Sequence, residues 1–280
     1  MEYPFLKGHG TENDFVLLPD HDGSVHGDLS PERVRALCDR RAGIGGDGVL
    51  RVVRRDALGA GLGDGLGLGS DPGVEWFMDY RNSDGSPSEM CGNGIRVFAL
   101  HLAQEGLVDP SQPVPIGTRD GVKVVTFDGD LITADMGTPK DLGETTVSVG
   151  PRSWGARHVS MGNPHAVAFV SSLDDAGPLL EEPGYDASVY PEGVNIEFVV
   201  RRGDAHIAMR VHERGSGETR SCGTGACAAT VAAALADGAP RDTTYTVDVP
   251  GGRLQVTWTA DDRVLLAGPA VVVARGTTSL

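Results

Sequence analysis

The sequence predicts a mixed α/β fold of the α+β type, built as two similar halves. The motif C-G-x-G occurs at Cys91–Gly94 and again at Cys222–Gly225, 131 residues apart in a chain of 280. Each copy follows a strand-like segment and a polar loop, and each precedes an apolar run with helical spacing. Many short apolar segments bounded by Gly, Pro or Asp predict short strands elsewhere. We therefore expect one buried helix and several strands in each half.

The first half begins with a strand and a short helix. Ser30-Pro31 combines a capping residue with a proline suited to the first helical turn. Val34, Leu37 and Cys38 then form one apolar face, and the glycine-rich loop Gly43–Gly48 leads to the next strand. The strands predicted in this half are Phe15–Leu18, Val49–Val53, Val74–Tyr80 and a hairpin of Val122–Phe127 with Leu131–Met136.

Glycine also marks two breaks in the first half. Asp56–Gly73 is rich in glycine and lies between two predicted strands, which indicates a flexible surface insertion. Gly106 is expected to end the helix that follows the first C-G-x-G motif.

The second half repeats the order of the first. Aligning the two motifs places Val74–Tyr80 against Ala205–Val211, and the loop Asn82–Ser88 against Glu213–Thr219. The run Ala226–Ala236 has small side chains on all sides, so we expect a helix that is enclosed by sheet. The strands predicted after it are Tyr245–Val249, Leu254–Trp258, Val264–Leu266 and Ala270–Ala274.

Composition and charge exclude several classes of protein. The net charge of -15 argues against nucleic-acid binding, which requires clusters of Lys and Arg. The segment Met1–Phe5 lacks the basic and apolar regions of a signal peptide, and no apolar run approaches the roughly 20 residues needed to span a bilayer. Four cysteines in a chain of this length do not form a disulfide framework, so we expect reduced thiols and a cytoplasmic protein.

Cys91 and Cys222 are the candidate chemical groups. A thiol at the N-terminus of a helix meets partial positive charge and unused N–H donors, which lower its pKa and also bind anions. Two such thiols around one carboxylate would move a proton at the neighbouring carbon. Cys38 and Cys227 lack flanking glycines and are expected to be inert core residues. The cysteines lack the C-x₂-C pairing of zinc sites, so no metal site is predicted.

The sequence resembles the diaminopimelate epimerase family over nearly its whole length. Any one of the matching segments is weak evidence, but all of them in order are highly specific. The matching segments are His9–Phe15, Arg81–Ser86, Cys91–Gly94, Met161–His165, Val194–Ile196, Glu213–Thr219 and Cys222–Gly225.

The resemblance implies a fold and an activity. The fold has two pseudo-symmetric halves, each a mostly antiparallel β-barrel-like sheet around a central helix, with the active site in the cleft between them. Residues 1–135 would form the half with Cys91 and residues 136–268 the half with Cys222, while 269–280 returns to the first. Family members interconvert LL- and meso-diaminopimelate without a cofactor, in lysine and peptidoglycan precursor biosynthesis. The implied partner is this small-molecule substrate, with no nucleic acid and no membrane, and a homodimer is a candidate assembly.

The resemblance also assigns roles to individual residues. Cys91 and Cys222 would be the acid/base pair, His165 would attend one thiol, and Glu213 the other. Helix-start N–H groups would stabilise the charge that develops on the substrate carboxylate, and a set of amides with one guanidinium would hold the far end of the substrate. The substrate-binding residues implied are Asn13, Asn82, Gly92, Asn93, Asn163, Asn195, Glu213, Arg214, Gly223 and Thr224.

Two departures and three alternatives accompany this assignment. Gly48 stands where many relatives have Gln, and Glu12 where relatives often have Gly, so we expect differences at the far end of the substrate. A proline or hydroxyproline racemase-type enzyme of the same architecture is the closest alternative, but its first motif usually has His where this chain has Asn93. A non-catalytic amino-acid-binding protein is disfavoured because both thiols are retained. A surface ion pair between Glu213 and Arg214 is the structural alternative for those two residues.

Overall fold

The chain forms two compact units in the computed structural model, which describes residues 2–58 and 73–280. The first unit comprises Met1–Ala134 with Pro269–Leu280, and the second comprises Asp135–Gly268. The predicted mixed α/β class, with many short strands and few helices, is confirmed. Most of the predicted insertion Asp56–Gly73 lies outside the described residues. Within those residues, no helix is long and apolar enough to cross a bilayer.

The first unit is a sheet with two helices. Its described strands pair in the order β18-β1-β2-β3-β4-β5-β6-β7, and only β2–β3 and β4–β5 run parallel. The elements are β1 (Tyr3–Gly10), β2 (Asn13–Pro19), α1 (Pro31–Cys38), β3 (Gly48–Arg54), β4 (Trp76–Asn82), α2 (Gly92–Gln104), β5 (Val114–Thr118), β6 (Gly121–Asp128), β7 (Leu131–Asp135) and β18 (Val271–Thr278).

The second unit repeats this pattern of pairing. Its main order is β8-β9-β10-β12-β13-β15-β16-β17, and here only β10–β12 and β13–β15 run parallel. The parallel pairs therefore fall at the same two junctions as in the first unit, which confirms the internal repeat. The elements are β8 (Lys140–Val149), β9 (Arg152–Ser160), β10 (Pro164–Phe169), β11 (Gly184–Tyr185), β12 (Asn195–Gly203), β13 (His206–Glu213), β14 (Gly217–Thr219), α3 (Gly223–Asp237), β15 (Thr244–Val249), β16 (Gly252–Trp258) and β17 (Val264–Gly268).

Each long helix is wrapped by the sheet of its own unit. Helix α2 contacts β1, β2, β3, β4 and β18, and its side chains Ile95, Phe98 and Leu102 are fully buried. Helix α3 contacts β9, β10, β12, β13, β15, β16 and β17, and is buried from Ala226 to Ala234. The predicted enclosure of the alanine-rich helix is confirmed, because small side chains let strands approach on every side.

The ends of the helices follow local rules. Ser30 caps α1 by accepting a hydrogen bond from the Arg33 N–H at 3.3 Å. Gly106, with a positive φ of 66°, closes α2 as predicted, and the Leu107 N–H then reaches back to the Leu102 carbonyl at 2.9 Å.

Candidate active site

The two thiols occupy equivalent positions at the starts of α2 and α3. Cys91 and Cys222 are the N-cap residues, with φ of −139° and −119° in the extended region. Each sulfur accepts a hydrogen bond at 3.4 Å, from the Gly94 N–H and the Gly225 N–H respectively. Each sulfur therefore faces the donor end of a helix, as the sequence predicts.

In the first unit, Asn13 lies against the thiol. It begins β2, directly after a two-residue turn, and its Oδ1 accepts from the Asn93 Nδ2 at 3.2 Å and from the Cys91 thiol at 3.6 Å. Its Nδ2 donates to the Asp47 carboxylate at 2.7 Å. The Asp47 carboxylate thus orients the side-chain amide of Asn13 so that its oxygen, and not its nitrogen, faces Cys91.

Asp47 was not singled out by the sequence, although it lies in the predicted loop Gly43–Gly48. Its second oxygen accepts from Arg40 at 2.7 Å, and Arg40 also pairs with Asp14. Burial is the largest influence and raises the pKa of the Asp47 carboxyl. The sequence could have identified Asp47 as the partner of Asn13 only if the parallel pairing of β2 with β3 had been known, because that pairing brings the two residues together.

Arg96 is a second residue that sequence reasoning missed. Its side chain is fully buried in the first turns of α2, donating to the Gly92 carbonyl at 2.8 Å and to Asn93 Oδ1 at 2.9 Å. Gly10 permits this approach, because a Cβ there would lie 2.8 Å from the guanidinium. Arg96 therefore orients the amide of Asn93 within the motif.

In the second unit, a chain of polar contacts leads away from Cys222. Its sulfur lies 3.5 Å from the Thr224 hydroxyl, which accepts from Asn163 Nδ2 at 3.3 Å. Asn163 Oδ1 accepts from His165 Nε2 at 3.0 Å, and His165 Nδ1 lies 2.7 Å from Glu197 Oε1. The predicted residues Asn163, His165 and Thr224 are thus brought together, and Glu197 is an addition that the structure supplies.

The predicted lowering of the thiol pKa is wrong for Cys222 in this structure. Burial raises the pKa of Cys222 well above the ordinary value, and the nearby carboxylate of Glu213 raises it further. The contacts from Thr224 and Gly225 act in the opposite direction without reversing the shift. These surroundings therefore favour the thiol form of Cys222 over the thiolate.

Glu213 is positioned as a partner of that thiol. Its carboxylate accepts hydrogen bonds from the Thr219 hydroxyl and the Cys222 thiol. Burial raises the pKa of Glu213, although these hydrogen bonds oppose the shift. Its contacts are therefore with Thr219 and Cys222, and no ion pair joins it to Arg214 among the residues described.

The remaining predicted substrate-binding residues have local contacts. Asn195 donates to the Pro164 carbonyl at 3.1 Å and accepts from the Arg214 N–H at 3.0 Å, which ties two turns of the second unit together. The exposed Arg214 side chain donates to the Glu192 carbonyl at 3.2 Å. Asn82 Nδ2 donates to the Ser86 hydroxyl at 3.1 Å within the turn after β4.

Both departures from the family pattern have a structural basis. A Cβ at Gly48 would lie 2.5 Å from the Arg81 carbonyl oxygen and 2.6 Å from a ring carbon of Tyr80, so a larger side chain has no room there. Glu12 has a φ of 62°, in the left-handed region that glycine adopts without strain. Glu12 therefore stands at a position of a tight turn that glycine would occupy without strain.

No group of three or more His, Cys, Asp or Glu side chains that could hold a metal ion occurs within residues 2–58 and 73–280. Each unit offers instead one thiol at the start of a helix, with oriented amides beside it. A helix start of this kind suits an anion, and a thiol can give or take a proton.

Comparison with known proteins identifies relatives of the chain. The family model for diaminopimelate epimerase matches residues 5–142 and 157–273. The diaminopimelate epimerase of Streptomyces coelicolor is 56% identical over 281 residues, covering 97% of this chain and 94% of that protein. That of Corynebacterium aurimucosum is 48% identical and covers 99% of both chains.

A solved structure shares the fold. A hydroxyproline epimerase from Agrobacterium vitis, crystallised with trans-4-hydroxy-L-proline, aligns with a TM-score of 0.67 at 13% identity, covering 100% of this chain and 93% of that one. The fold and the relatives together define an amino-acid epimerase. The chain belongs to the diaminopimelate epimerase family.

Proposed function

We propose that the protein interconverts LL- and meso-diaminopimelate by moving the α-proton between Cys91 and Cys222. The observation that carries this proposal is the equivalent placement of the two thiols, each the N-cap of a C-G-x-G helix with one N–H bond to sulfur. One thiol serves each face of the α-carbon, so the configuration inverts when one takes a proton and the other gives one.

The helix starts supply the stabilisation that this reaction needs. Removing an α-proton places charge on the substrate carboxylate, and no imine is formed to delocalise it. The N–H groups at the first positions of α2 and α3, Gly92 and Gly223, lie outside the helical hydrogen-bond ladder and suit a carboxylate. Fixed dipoles of this kind need no reorganisation as the charge develops. The reaction therefore proceeds without a cofactor.

The surroundings of the thiols suggest their starting roles. Burial and the Glu213 carboxylate hold Cys222 protonated, which fits it as the proton donor. A two-base inversion needs one thiol and one thiolate, so Cys91 then takes the role of base. The roles exchange with reaction direction.

The amide and guanidinium groups account for a long substrate. The second amino-acid end of the substrate would be held by Asn13, Asn82, Asn163, Asn195 and Arg214, since amides bind both ammonium and carboxylate and Arg pairs with carboxylate.

The product would serve lysine and peptidoglycan precursor synthesis in the cytoplasm. A homodimer is part of the proposal, and sedimentation of the purified protein tests it.

Incubation with LL-diaminopimelate in D₂O tests the activity. We expect the meso isomer to accumulate to equilibrium with deuterium at the inverted α-carbon. Binding without exchange would instead indicate a non-catalytic amino-acid-binding protein. Inversion of proline or hydroxyproline, with no reaction of diaminopimelate, would favour the racemase alternative.

Substitution of the thiols tests the mechanism. Cys91→Ser and Cys222→Ser should each lower kcat at least about 100-fold, because a serine hydroxyl is far too weak an acid to replace a thiol. The matched controls are Cys38→Ala and Cys227→Ala, which remove buried thiols outside the site and should retain most activity. Near-normal turnover by either serine variant would contradict the two-thiol mechanism.

A further inference from the structure

A histidine and a glutamate are completely buried behind Cys222. His165 on β10 and Glu197 on β12 have no exposed surface, and their Nδ1 and Oε1 atoms lie 2.7 Å apart. A Cβ at Gly225 would lie 2.7 Å from Glu197 Oε1 and 3.3 Å from Cys222 Sγ. The glycine of the motif therefore lets a carboxylate approach the start of α3. Burying two ionisable groups costs desolvation energy, so the pair requires an explanation.

The first unit contains the same positions without the charge. The parallel pairing of Phe15 with Gly48 corresponds to that of His165 with Asn195, which makes Phe15 and Leu50 the equivalents of His165 and Glu197. Phe15 and Leu50 are fully buried, and both contact the position of a Cβ at Gly94. The fold thus accepts an apolar pair here. Packing alone does not account for the histidine and the glutamate.

The hydrogen bonds fix where the protons of the pair lie. Asn163 Nδ2 is directed to the Thr224 hydroxyl, so Asn163 Oδ1 faces His165 Nε2. A carbonyl oxygen only accepts, so Nε2 carries a hydrogen. Nδ1 and Glu197 Oε1 then share one hydrogen, whether as imidazolium with carboxylate or as imidazole with carboxylic acid. The pair has no net charge in either form.

This arrangement gives the chain of contacts a direction. The His165 Nε2–H donates to Asn163, the Asn163 Nδ2 donates to Thr224 Oγ1, and the hydroxyl hydrogen of Thr224 is left to donate to Cys222 Sγ, 3.5 Å away. A donor on sulfur stabilises the thiolate that forms when Cys222 releases its proton. We infer that Glu197 is a positioning residue, which holds His165 in the Nε2–H form and so directs the Thr224 hydroxyl at Cys222.

The inference rests on the proposed role of Cys222 as a proton carrier, but its test does not require turnover. The measurement is the rate of iodoacetamide alkylation at pH 8, resolved by peptide mass spectrometry. Cys91 in the same molecule is the internal reference. The reaction is with the thiolate, so the rate reports its stabilisation. Loss of epimerase activity in the wild-type protein would therefore leave this test intact.

The decisive variant is the double substitution His165→Phe with Glu197→Leu. It installs the pair that the first unit already packs, so the fold has a precedent for it. We expect Cys222 alkylation to fall about tenfold relative to Cys91, the effect of losing one oriented hydrogen bond to a charged sulfur. Glu197→Gln should stay within about twofold of wild type, because its amide can donate to Nδ1 and keep the Nε2–H form.

The alternative role of Glu197 predicts the opposite sign. If Glu197 acted as a bare negative charge, its removal would favour the Cys222 thiolate, and alkylation would rise in both variants. A rise, no change, or equal changes at Cys91 and Cys222 would overturn the inference, as would a tenfold loss in Glu197→Gln. Val199→Ala is the packing control, because it is buried two residues along the same strand and should not alter the ratio.

Thr224→Val tests the last link independently. It replaces the hydroxyl by a methyl group of similar size at the second position of α3. We expect the same loss of Cys222 alkylation, and no further loss when it is combined with the double substitution, because all three changes interrupt one chain. Additive losses of the Cys222 alkylation rate would show that Thr224 and the His165–Glu197 pair act separately, and would overturn the inference.

Discussion

At the scale of single residues, the sulfur of Cys222 is subject to opposing influences. The Gly225 N–H, the Thr224 hydroxyl and the start of α3 favour the thiolate. Burial and the carboxylate of Glu213 favour the thiol and prevail. Cys222 is therefore held as the thiol, and the N–H and hydroxyl groups that would stabilise its thiolate are already in place.

Glu213→Gln tests this balance. Removing the negative charge should lower the pKa of Cys222 and raise its alkylation rate at pH 8 by up to about tenfold, while epimerisation falls because the carboxylate that accepts the thiol hydrogen is gone. Glu218→Gln is the matched control, since that carboxylate pairs with Arg210 on the neighbouring strand. Unchanged or slower alkylation in Glu213→Gln would contradict the electrostatic account.

At the scale of elements, the two long helices depend on their ends. Helix α3 ends at Gly238, which has φ 60° and ψ 30°, and the Ala239 N–H reaches back to the Ala234 carbonyl at 3.0 Å. This left-handed conformation is easy for glycine and unfavourable for other residues. The end of α3 is therefore set by one residue outside the site.

Gly238→Ala should lower the free energy of unfolding by about 1–2 kcal/mol, because alanine is strained in the left-handed region. Among residues 2–58 and 73–280, apart from the neighbouring residues of the same helix end, no heavy atom lies within 4 Å of the added Cβ, so a clash does not contribute. Gly155→Ala on β9 is the control: it also has open space but an ordinary φ, and should leave stability unchanged or raise it by up to about 1 kcal/mol. Equal losses in urea unfolding would exclude the conformational explanation.

At the scale of the whole molecule, buried histidines limit stability in acid. Burial lowers the pKa of His26 and of His101 to about 4, against 6.5 for an ordinary histidine. Between these values the unfolded chain binds protons that the folded chain does not. The stability associated with keeping these two histidines neutral is thus fully present above pH 6.5 and is lost as the pH falls toward 4.

His101→Leu should flatten this dependence. When the pH is lowered from 7.5 to 5, each buried histidine should lower the free energy of unfolding by on the order of 2 kcal/mol. The variant lacks His101, so its free energy of unfolding should fall by that much less than that of the wild type. Urea unfolding at the two pH values measures the difference, and the pair of values at pH 7.5 serves as the control for packing. A parallel loss of stability in the variant and the wild type would contradict the prediction.

The sequence by itself determined the repeat, the helix starts and the placement of two thiols. Capping depends on residues within one helical turn, so Cys91-Gly92-Asn93-Gly94 carries the information for its own geometry. The alternation of strands and turns is likewise a local feature of the sequence, and it predicted the correct class of fold.

Only the tertiary structure decided what surrounds each thiol. Parallel pairing of β10 with β12 brings His165 to Glu197 across 32 residues, and the first unit fills the same positions with Phe15 and Leu50. The raised pKa of Cys222 likewise comes from burial and from the carboxylate of Glu213 on β13. Desolvation and charge act through space rather than along the chain, so local patterns that located both thiols could not assign their protonation.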